Sequence, residues 1–199
     1  MRNAPHTAAG LATRERIIEN TEILFRKYGR LKTTVADIAQ MSGMSTANVY
    51  KFFSSKDDLI EVVGERAFAK LRIDITKVAR SKGPAWPKIE LMVLKYHGML
   101  RQELGNETHL LEMVVASREK RPRFVENFDN FLVANVMQSL EQGVATKEFR
   151  ALDTVITAQA IMDCLVFGTH ALFVGDLPAK DHERRLRAQL ALLAHAVRR

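Results

Sequence analysis

The spacing of apolar residues is the feature that most constrains the fold of this 199-residue chain. Apolar side chains recur every three or four residues along nearly its whole length, as at Leu59, Val63 and Ala67. No segment alternates apolar and polar residues between hairpin turns. Because a period near 3.6 places such residues on one helical face, the sequence predicts an all-α protein of about nine helices.

Capping residues and glycines divide the chain into these helices. The first three are marked by their expected caps and turns, which are Thr13, Gly29, Thr34 with Asp37, Gly43 and Ser45. The six later helices are expected at 56–82, 87–104, 106–117, 122–142, 153–173 and 180–197. Ser55 with Asp58 caps the long fourth helix, which links the front of the chain to the remainder.

Charge is concentrated at the front of the chain. The formal net charge is +7, and residues 1–56 carry nine Lys and Arg against four Asp and Glu. A basic surplus favours a polyanionic partner such as nucleic acid. We therefore predict two domains, 1–56 and 57–199.

Several classes of protein and site find no support. The single cysteine, Cys164, excludes an intramolecular disulfide and a cysteine-based zinc site, and suits a reducing cytoplasm. The most apolar stretch, residues 155–174, is interrupted by polar residues, so we expect no membrane span. The histidines are scattered, and neither a phosphate-binding loop nor a nucleophile motif is present. We expect no enzyme, no metal and no cofactor.

The stretch MSTANVYKFF predicts a short helix with two different faces. At 100° per residue, Val49, Phe52 and Phe53 fall on one side. The opposite side displays Thr46, Ala47, Asn48, Tyr50 and Lys51. Two short helices joined by a glycine turn have the layout of a helix-turn-helix, whose second helix enters the DNA major groove.

Residues 13–63 resemble the TetR family of bacterial one-component transcriptional regulators. The resemblance is carried by ILFRKYG and TTVADIAQMSGMSTANVYKFFSSKDDL. It implies an N-terminal three-helix DNA-binding domain joined to a larger helical domain for ligand binding and dimerisation. Three positions depart from the family pattern: Arg30 replaces an aromatic residue, while Thr21 and Met41 replace alanines.

The resemblance also implies roles for individual residues. Thr33 or Thr34, Tyr50 and Lys56 would contact phosphates, which set register without reading sequence. Ser45, Thr46, Ala47 and Asn48 would face bases or the adjoining backbone. The residue types alone add Lys51 as a phosphate contact. Asn48 suits adenine, and threonine suits a base edge or a thymine methyl group.

The C-terminal part is expected to dimerise through its last two helices. Leu186, Leu190, Leu193 and Val197 form an apolar stripe on the final helix, and His170 and Phe173 lie on the preceding one. The alternative is that the final helix packs only on its own core. A dimer would read a palindrome, since one short helix contacts only a few base pairs.

An effector pocket is expected among the fifth to eighth helices. Its candidate lining residues are Trp86, Met92, Tyr96, His97, Met113, Phe128, Phe131, Met137 and Phe167. Methionines and aromatics suit a hydrophobic or amphipathic ligand, although the same residues would also suit plain core packing.

The leading interpretation is a cytoplasmic homodimeric transcriptional repressor. It would bind palindromic double-stranded DNA and be released by a small, largely apolar effector. One alternative has the same fold but a C-terminal domain that binds a protein. Another is a helical enzyme or adaptor that does not bind DNA.

Overall fold

Helices dominate the part of the chain that a computed structural model describes, residues 7–105, 122–174 and 178–198. Their bounds are α1 Ala8–Lys32, α2 Val35–Met41, α3 Thr46–Val49, α4 Lys56–Ala79, α5 Ala85–Gly105, α6 Arg123–Ala145, α7 Thr154–Cys164, α8 Val166–Thr169, α9 Ala171–Val174 and α10 Ala179–Val197. The all-α prediction is confirmed. The helix predicted at 106–117 lies outside the described residues.

The chain divides into two compact units. Among the described residues, the first comprises 7–67 and 122–125, and the second comprises 68–105, 126–174 and 178–198. Helix α4 contributes its first half to one unit and its second half to the other.

Side-chain caps fix the helices of the first unit. Thr34 and Asp37 form the predicted capping box of α2, and Ser45 Oγ accepts from the Asn48 backbone N–H at the start of α3. Gly43 supplies the turn between them with φ +66°, a conformation that glycine adopts without steric cost. The prediction of Thr13 as the first N-cap was wrong: α1 begins at Ala8, where Thr7 accepts from the Gly10 backbone N–H.

Buried apolar side chains hold α1 to α4 together in the first unit. Ile17, Phe25, Ile38 and Val49 are each fully buried. The side-chain amide of Asn20 donates to Ser42 Oγ at 3.1 Å and to the Met41 carbonyl at 3.3 Å, which ties α1 to the turn after α2. These hydrogen bonds therefore fix the position of the turn from which α3 begins.

Aromatic packing and one long-range cap build the second unit. Phe128 stacks on Phe68 with ring centroids 4.3 Å apart and contacts Tyr96 at 4.8 Å. The carboxylate of Glu148 accepts from the backbone N–H groups of Ala85 and Trp86 at 2.6 and 2.9 Å. The loop after α6 therefore caps the start of α5.

The helix predicted at 153–173 is broken into α7, α8 and α9. The breaks fall at Leu165, with ψ 5°, and at His170, which is extended. The Gly168 carbonyl in α8 accepts a hydrogen bond from the His97 side chain of α5. A side chain of another helix therefore supplies a hydrogen bond to this part of the backbone. A side chain at Gly168 would collide with Leu186 of α10, with Cβ only 2.5 Å from Cδ1. Tertiary contacts here override the local preference for a continuous helix.

Candidate functional site

The short helix α3 presents the residues that the sequence assigned to DNA. Thr46, Ala47, Asn48 and Lys51 are exposed, and the Tyr50 side chain is 52% exposed. Val49 and Phe53 are 0% and 4% exposed, so they anchor the helix from the opposite side. Ser45 is exposed at the N-cap, but its hydroxyl already accepts from Asn48.

Arg14 supports this helix from α1. Its guanidinium carbon lies 5.0 Å from the centre of the Phe53 ring, within the range of a cation–π interaction. Because Phe53 anchors the segment after α3, Arg14 helps to hold the exposed face in place. Arg14 and Arg16 are both helical residues of α1.

The two threonines before α2 are not equally available. Thr33 is 2% exposed, and its hydroxyl donates to the Gly29 carbonyl at 2.8 Å. Because it is buried, the Thr33 side chain is not among those exposed for contact with DNA. Thr34 is exposed, but its hydroxyl donates to the Asp37 carboxylate at 2.7 Å, an interaction that lowers the Asp37 pKa. A phosphate bond from Thr34 would therefore need its hydroxyl hydrogen to change partner.

Lys56 lies at the first position of α4, close to another cation. Partial burial lowers the pKa of Lys56, and the positive charge of Arg30 lowers it further, while the carboxylates of Asp57 and Asp37 raise it. Two cations that repel each other form a favourable environment for an anion placed between them. The Arg30 position, where the family pattern has an aromatic residue, therefore adds positive charge beside Lys56.

The predicted effector residues of the described part of the chain lie in several different surroundings. Met92, Tyr96 and Phe128 are each at most 2% exposed and pack within the core. Trp86 packs edge-on against Phe149, 6.4 Å away. Phe131 and Met137 are half-buried, and Met113 lies outside the described residues.

Two other predicted effector residues, His97 and Phe167, lie beside His182. The His182 ring stacks on Phe167 at 4.3 Å and on His97 at 5.0 Å. His97 Nδ1 lies 3.0 Å from the Gly168 carbonyl, and His182 Nε2 lies 3.2 Å from the Phe173 carbonyl. Nδ1 of His182 is buried without a hydrogen-bond partner. Sequence reasoning missed His182 because only the broken helix brings it beside His97.

Two clefts are present elsewhere in the described residues. One of about 530 Å³ lies in the first unit between α1 and α2, lined by Leu24, Tyr28, Lys32, Thr33, Asp37, Gln40 and Met41. The other, of about 620 Å³, lies in the second unit beside the Gly83–Pro84 turn. Neither cleft is lined by a predicted effector residue, and Thr33, which was predicted to contact DNA, lines the first one. Within the described residues there is also no cluster of three metal-binding side chains, and no helix is long and apolar enough to cross a membrane.

Comparison with known proteins gives the family. Residues 17–63 match the family model described as bacterial regulatory proteins, tetR family. Residues 85–189, more than half of the chain, match the model described as a tetracyclin repressor-like C-terminal domain. The chain belongs to the TetR family. Its N-terminal part is thus a helix-turn-helix of DNA-binding transcriptional regulators, as the sequence predicted.

Individual relatives of this TetR-family chain are similar over different extents. The HTH-type transcriptional regulator TtgR of Pseudomonas putida is 39% identical over 51 residues, which are 26% of this chain and 24% of TtgR. The chain thus spans about a quarter of the length of this curated relative. A probable regulator of Pseudomonas putida, ArpR, matches to the same extent.

Solved structures share the whole fold with this TetR-family chain. A transcriptional regulator from Cytophaga hutchinsonii superimposes with a TM-score of 0.71 at 23% identity, covering 93% of this chain and 98% of that one. SmeT, the repressor of the Stenotrophomonas maltophilia efflux pump SmeDEF, gives 0.71 at 16% identity, covering 100% and 93%. FadR of Bacillus subtilis, in complex with stearoyl-CoA, gives 0.69 at 17%, covering 92% and 98%.

The stripe on the last helix that was predicted to dimerise is mostly buried within the single chain. Leu186, Leu190 and Val197 are 0%, 1% and 4% exposed in the single chain, so they pack in its own core. This is the alternative that the sequence left open. Leu193 and His170 are half-buried, and Phe173 is 40% exposed. The most exposed large apolar residues from α7 to α10 are Val155 and Ile156 on α7 and Leu192 on α10.

The environment of His97 predicts a pH-dependent stability. Burial lowers the pKa of His97, the Gly168 carbonyl opposes this, and His182 and Arg101 lower it further, while Glu183 raises it. Since the unfolded value is about 6.5, the unfolded chain binds more protons below that pH. The contribution of His97 to stability is therefore fully present above about pH 6.5, and it is lost as the pH falls from there towards the lower pKa of the folded state.

We expect His97→Asn to weaken this dependence. Asparagine keeps a donor near the Nδ1 position but does not titrate. Urea unfolding at pH 7.5 and 5.5 should show the wild type losing more of its free energy of unfolding than the variant between the two. His195→Asn, at an exposed position of α10, is the matched control and should retain the wild-type difference. Equal losses in wild type and His97→Asn would contradict the assignment.

Proposed function

We propose that this protein is a cytoplasmic, homodimeric transcriptional repressor. It binds palindromic double-stranded DNA through α3 and is released by a small, largely apolar effector. The observation that carries the proposal is the division of α3 and the turn after it, in which Val49 and Phe53 are buried while Tyr50, Asn48 and Lys51 project from the surface. This is the arrangement that a recognition helix needs in order to enter the major groove.

Within this proposal, residues of α3 and its flanks divide between phosphates and bases. Tyr50, Lys56 and Thr34 contact phosphates, and Thr46, Ala47 and Asn48 face base edges. Ser45 supports the start of the helix through its cap and lies at the adjoining backbone. Lys56 and Arg30 together attract a phosphate, because each is a cation beside another cation.

The effector part of the proposal is supported by the relatives. Residues 85–189 match the C-terminal domain model of tetracyclin repressor-like proteins, and the FadR structure of the same fold holds stearoyl-CoA. A specific observation also favours the alternative of a protein partner: Met92, Tyr96 and Phe128 pack closely in the core. Titrating the operator complex with hydrophobic compounds separates the two, since release by none of them favours the protein partner.

Homodimerisation is proposed through the exposed apolar faces of α7 and α10. Val155, Ile156 and Leu192 are 63%, 68% and 71% exposed, far more than a core side chain. Gln189 of α10 donates to the Cys164 carbonyl at the end of α7, so the two helices are adjacent. Large apolar side chains on neighbouring helices favour a two-fold helical interface, in which each copy covers the other.

Lys56→Met and Tyr50→Phe test the proposed phosphate contacts. Both variants should bind every DNA sequence more weakly, because phosphate contacts carry no base information. For Lys56→Met we also expect the slope of log affinity against log salt to decrease by about one phosphate per subunit. Fluorescence anisotropy on operator and random duplexes at several salt concentrations measures both effects.

The control for this test is Lys77→Met, an exposed lysine in the part of α4 that belongs to the second unit. It removes the same charge from the chain without touching the proposed surface. An unchanged affinity and salt slope in Lys56→Met, or an equal effect of Lys77→Met, would refute the phosphate contact at Lys56. Absence of any salt-sensitive, sequence-preferring complex in the wild type would refute DNA binding altogether.

A further inference from the structure

Two residues of the α3 surface are bonded to each other. Lys51 Nζ donates to Asn48 Oδ1 at 2.7 Å, and both side chains are exposed. Asn48 lies in α3 and Lys51 in the turn directly after it, where the Lys51 backbone N–H donates to the Asn48 carbonyl at 3.2 Å. A bond from an ammonium is charge-assisted, and its length lies in the range of such bonds.

This bond decides which way the Asn48 amide faces. An asparagine side chain carries one carbonyl oxygen and one NH₂ group, and exchanging them changes its outline little. An ammonium has three donors and no acceptor, so the group that faces Lys51 must be the oxygen. The Asn48 NH₂ group therefore points away from Lys51, without depending on any other contact.

The orientation of that amide sets the base that Asn48 can read. Adenine presents the N6 donor beside the N7 acceptor, and an asparagine binds both when its oxygen faces N6 and its NH₂ faces N7. Guanine presents O6 in place of N6, so the same orientation would bring two acceptors together. The carbonyl oxygen has two lone pairs, so it can accept from Lys51 and from adenine N6 together.

We propose that Lys51 is a positioning residue for base readout, which holds the Asn48 amide in the orientation that selects adenine over guanine. The proposal rests on the DNA-binding function proposed above and gives Lys51 a role in specificity beyond a phosphate contact. Without Lys51, the amide rotates freely and can turn its NH₂ group towards guanine O6. Holding it in advance also removes part of the ordering cost of binding.

Operator variants that differ at one base pair test this role. The operator is first selected from a random DNA library with the wild-type protein, and the position read by Asn48 is the one whose preference Asn48→Ala abolishes. At that position we compare adenine and guanine operators for Lys51→Met, Lys51→Arg and the double variant Asn48→Ala/Lys51→Met. Thermal unfolding of each variant checks that the fold is unchanged.

We expect Lys51→Met to lower the adenine-over-guanine affinity ratio by at least about threefold. Lys51→Arg should keep the ratio, because a guanidinium also only donates. The double variant should lose no more discrimination than Asn48→Ala alone, since Lys51 acts through Asn48. Lys56→Met, the matched phosphate variant, should weaken both operators by the same factor.

Three results would overturn the proposal, and each is distinct from failure of the proposed function. Equal weakening of both operators by Lys51→Met, with a smaller salt slope, would make Lys51 only a phosphate contact. A higher adenine-over-guanine ratio would make it a direct guanine contact. A base profile unchanged in Asn48→Ala would remove the residue through which Lys51 acts. Selection of no preferred sequence by the wild type would instead refute the proposed function itself.

Discussion

Replacing Ile156 with aspartate is expected to convert the proposed dimer into monomers and to weaken operator binding by at least about 100-fold. The Ile156 side chain is 68% exposed on α7 of the single chain, beside Val155 at 63%. In a two-fold interface the new carboxylate would be buried opposite apolar groups, and an unpaired buried charge costs several kcal/mol. A monomer binds only one half-site, so the gain from joining two recognition helices is lost.

Light scattering after size-exclusion chromatography measures the mass, and fluorescence anisotropy measures operator affinity. Ile73→Asp is the matched control, because Ile73 is 57% exposed on α4 and the change of chemistry is identical. It should leave both the dimer and the affinity unchanged. A dimer that persists in Ile156→Asp would show that α7 does not form the interface, whereas monomers that still bind the full operator tightly would refute the link between dimerisation and affinity.

The DNA-binding surface was largely predictable because local rules determine it. The capping box of Thr34 and Asp37, the cap at Ser45 and the turn at Gly43 each depend on residues within a few positions. A 100° rotation per residue then assigns every side chain of α3 to its buried or exposed side. The sequence did not reveal that the hydroxyl of Thr33 is buried, since its acceptor is the carbonyl of Gly29 at the kink of α1.

The second unit was less predictable because its helices are apolar on more than one side. Periodicity locates the stripe of Leu186 and Leu190 but does not say whether it faces the chain's own core or another copy. The single chain buries that stripe and leaves Leu192 on the other side exposed. The break after α7 was also missed, because a close approach between Gly168 and Leu186 is a contact across the fold.

Close packing at Gly143 gives the largest expected effect on folding. An alanine Cβ there would meet the ring of Phe149, which is 1% exposed and whose backbone N–H donates to the Gly143 carbonyl at 3.0 Å. The ring has little room to move, because it also packs edge-on against Trp86. Overpacking of this kind costs about 2 kcal/mol even though alanine favours a helix. We therefore expect Gly143→Ala to lower the free energy of unfolding by about that amount.

Gly98 offers the matched comparison within the same unit. It is an exposed glycine of α5, and an added Cβ would meet nothing within 4 Å. Gly98→Ala should raise the free energy of unfolding by roughly 0.5–1 kcal/mol, the helix propensity gain alone. Urea unfolding followed by circular dichroism compares the two, and the fluorescence of Trp86, the single tryptophan, reports on the Phe149 contact directly. If Gly143→Ala stabilised the protein as much as Gly98→Ala and left the native fluorescence unchanged, the packing of Phe149 on α6 would be contradicted. Only an open position can accept the methyl group without moving the ring.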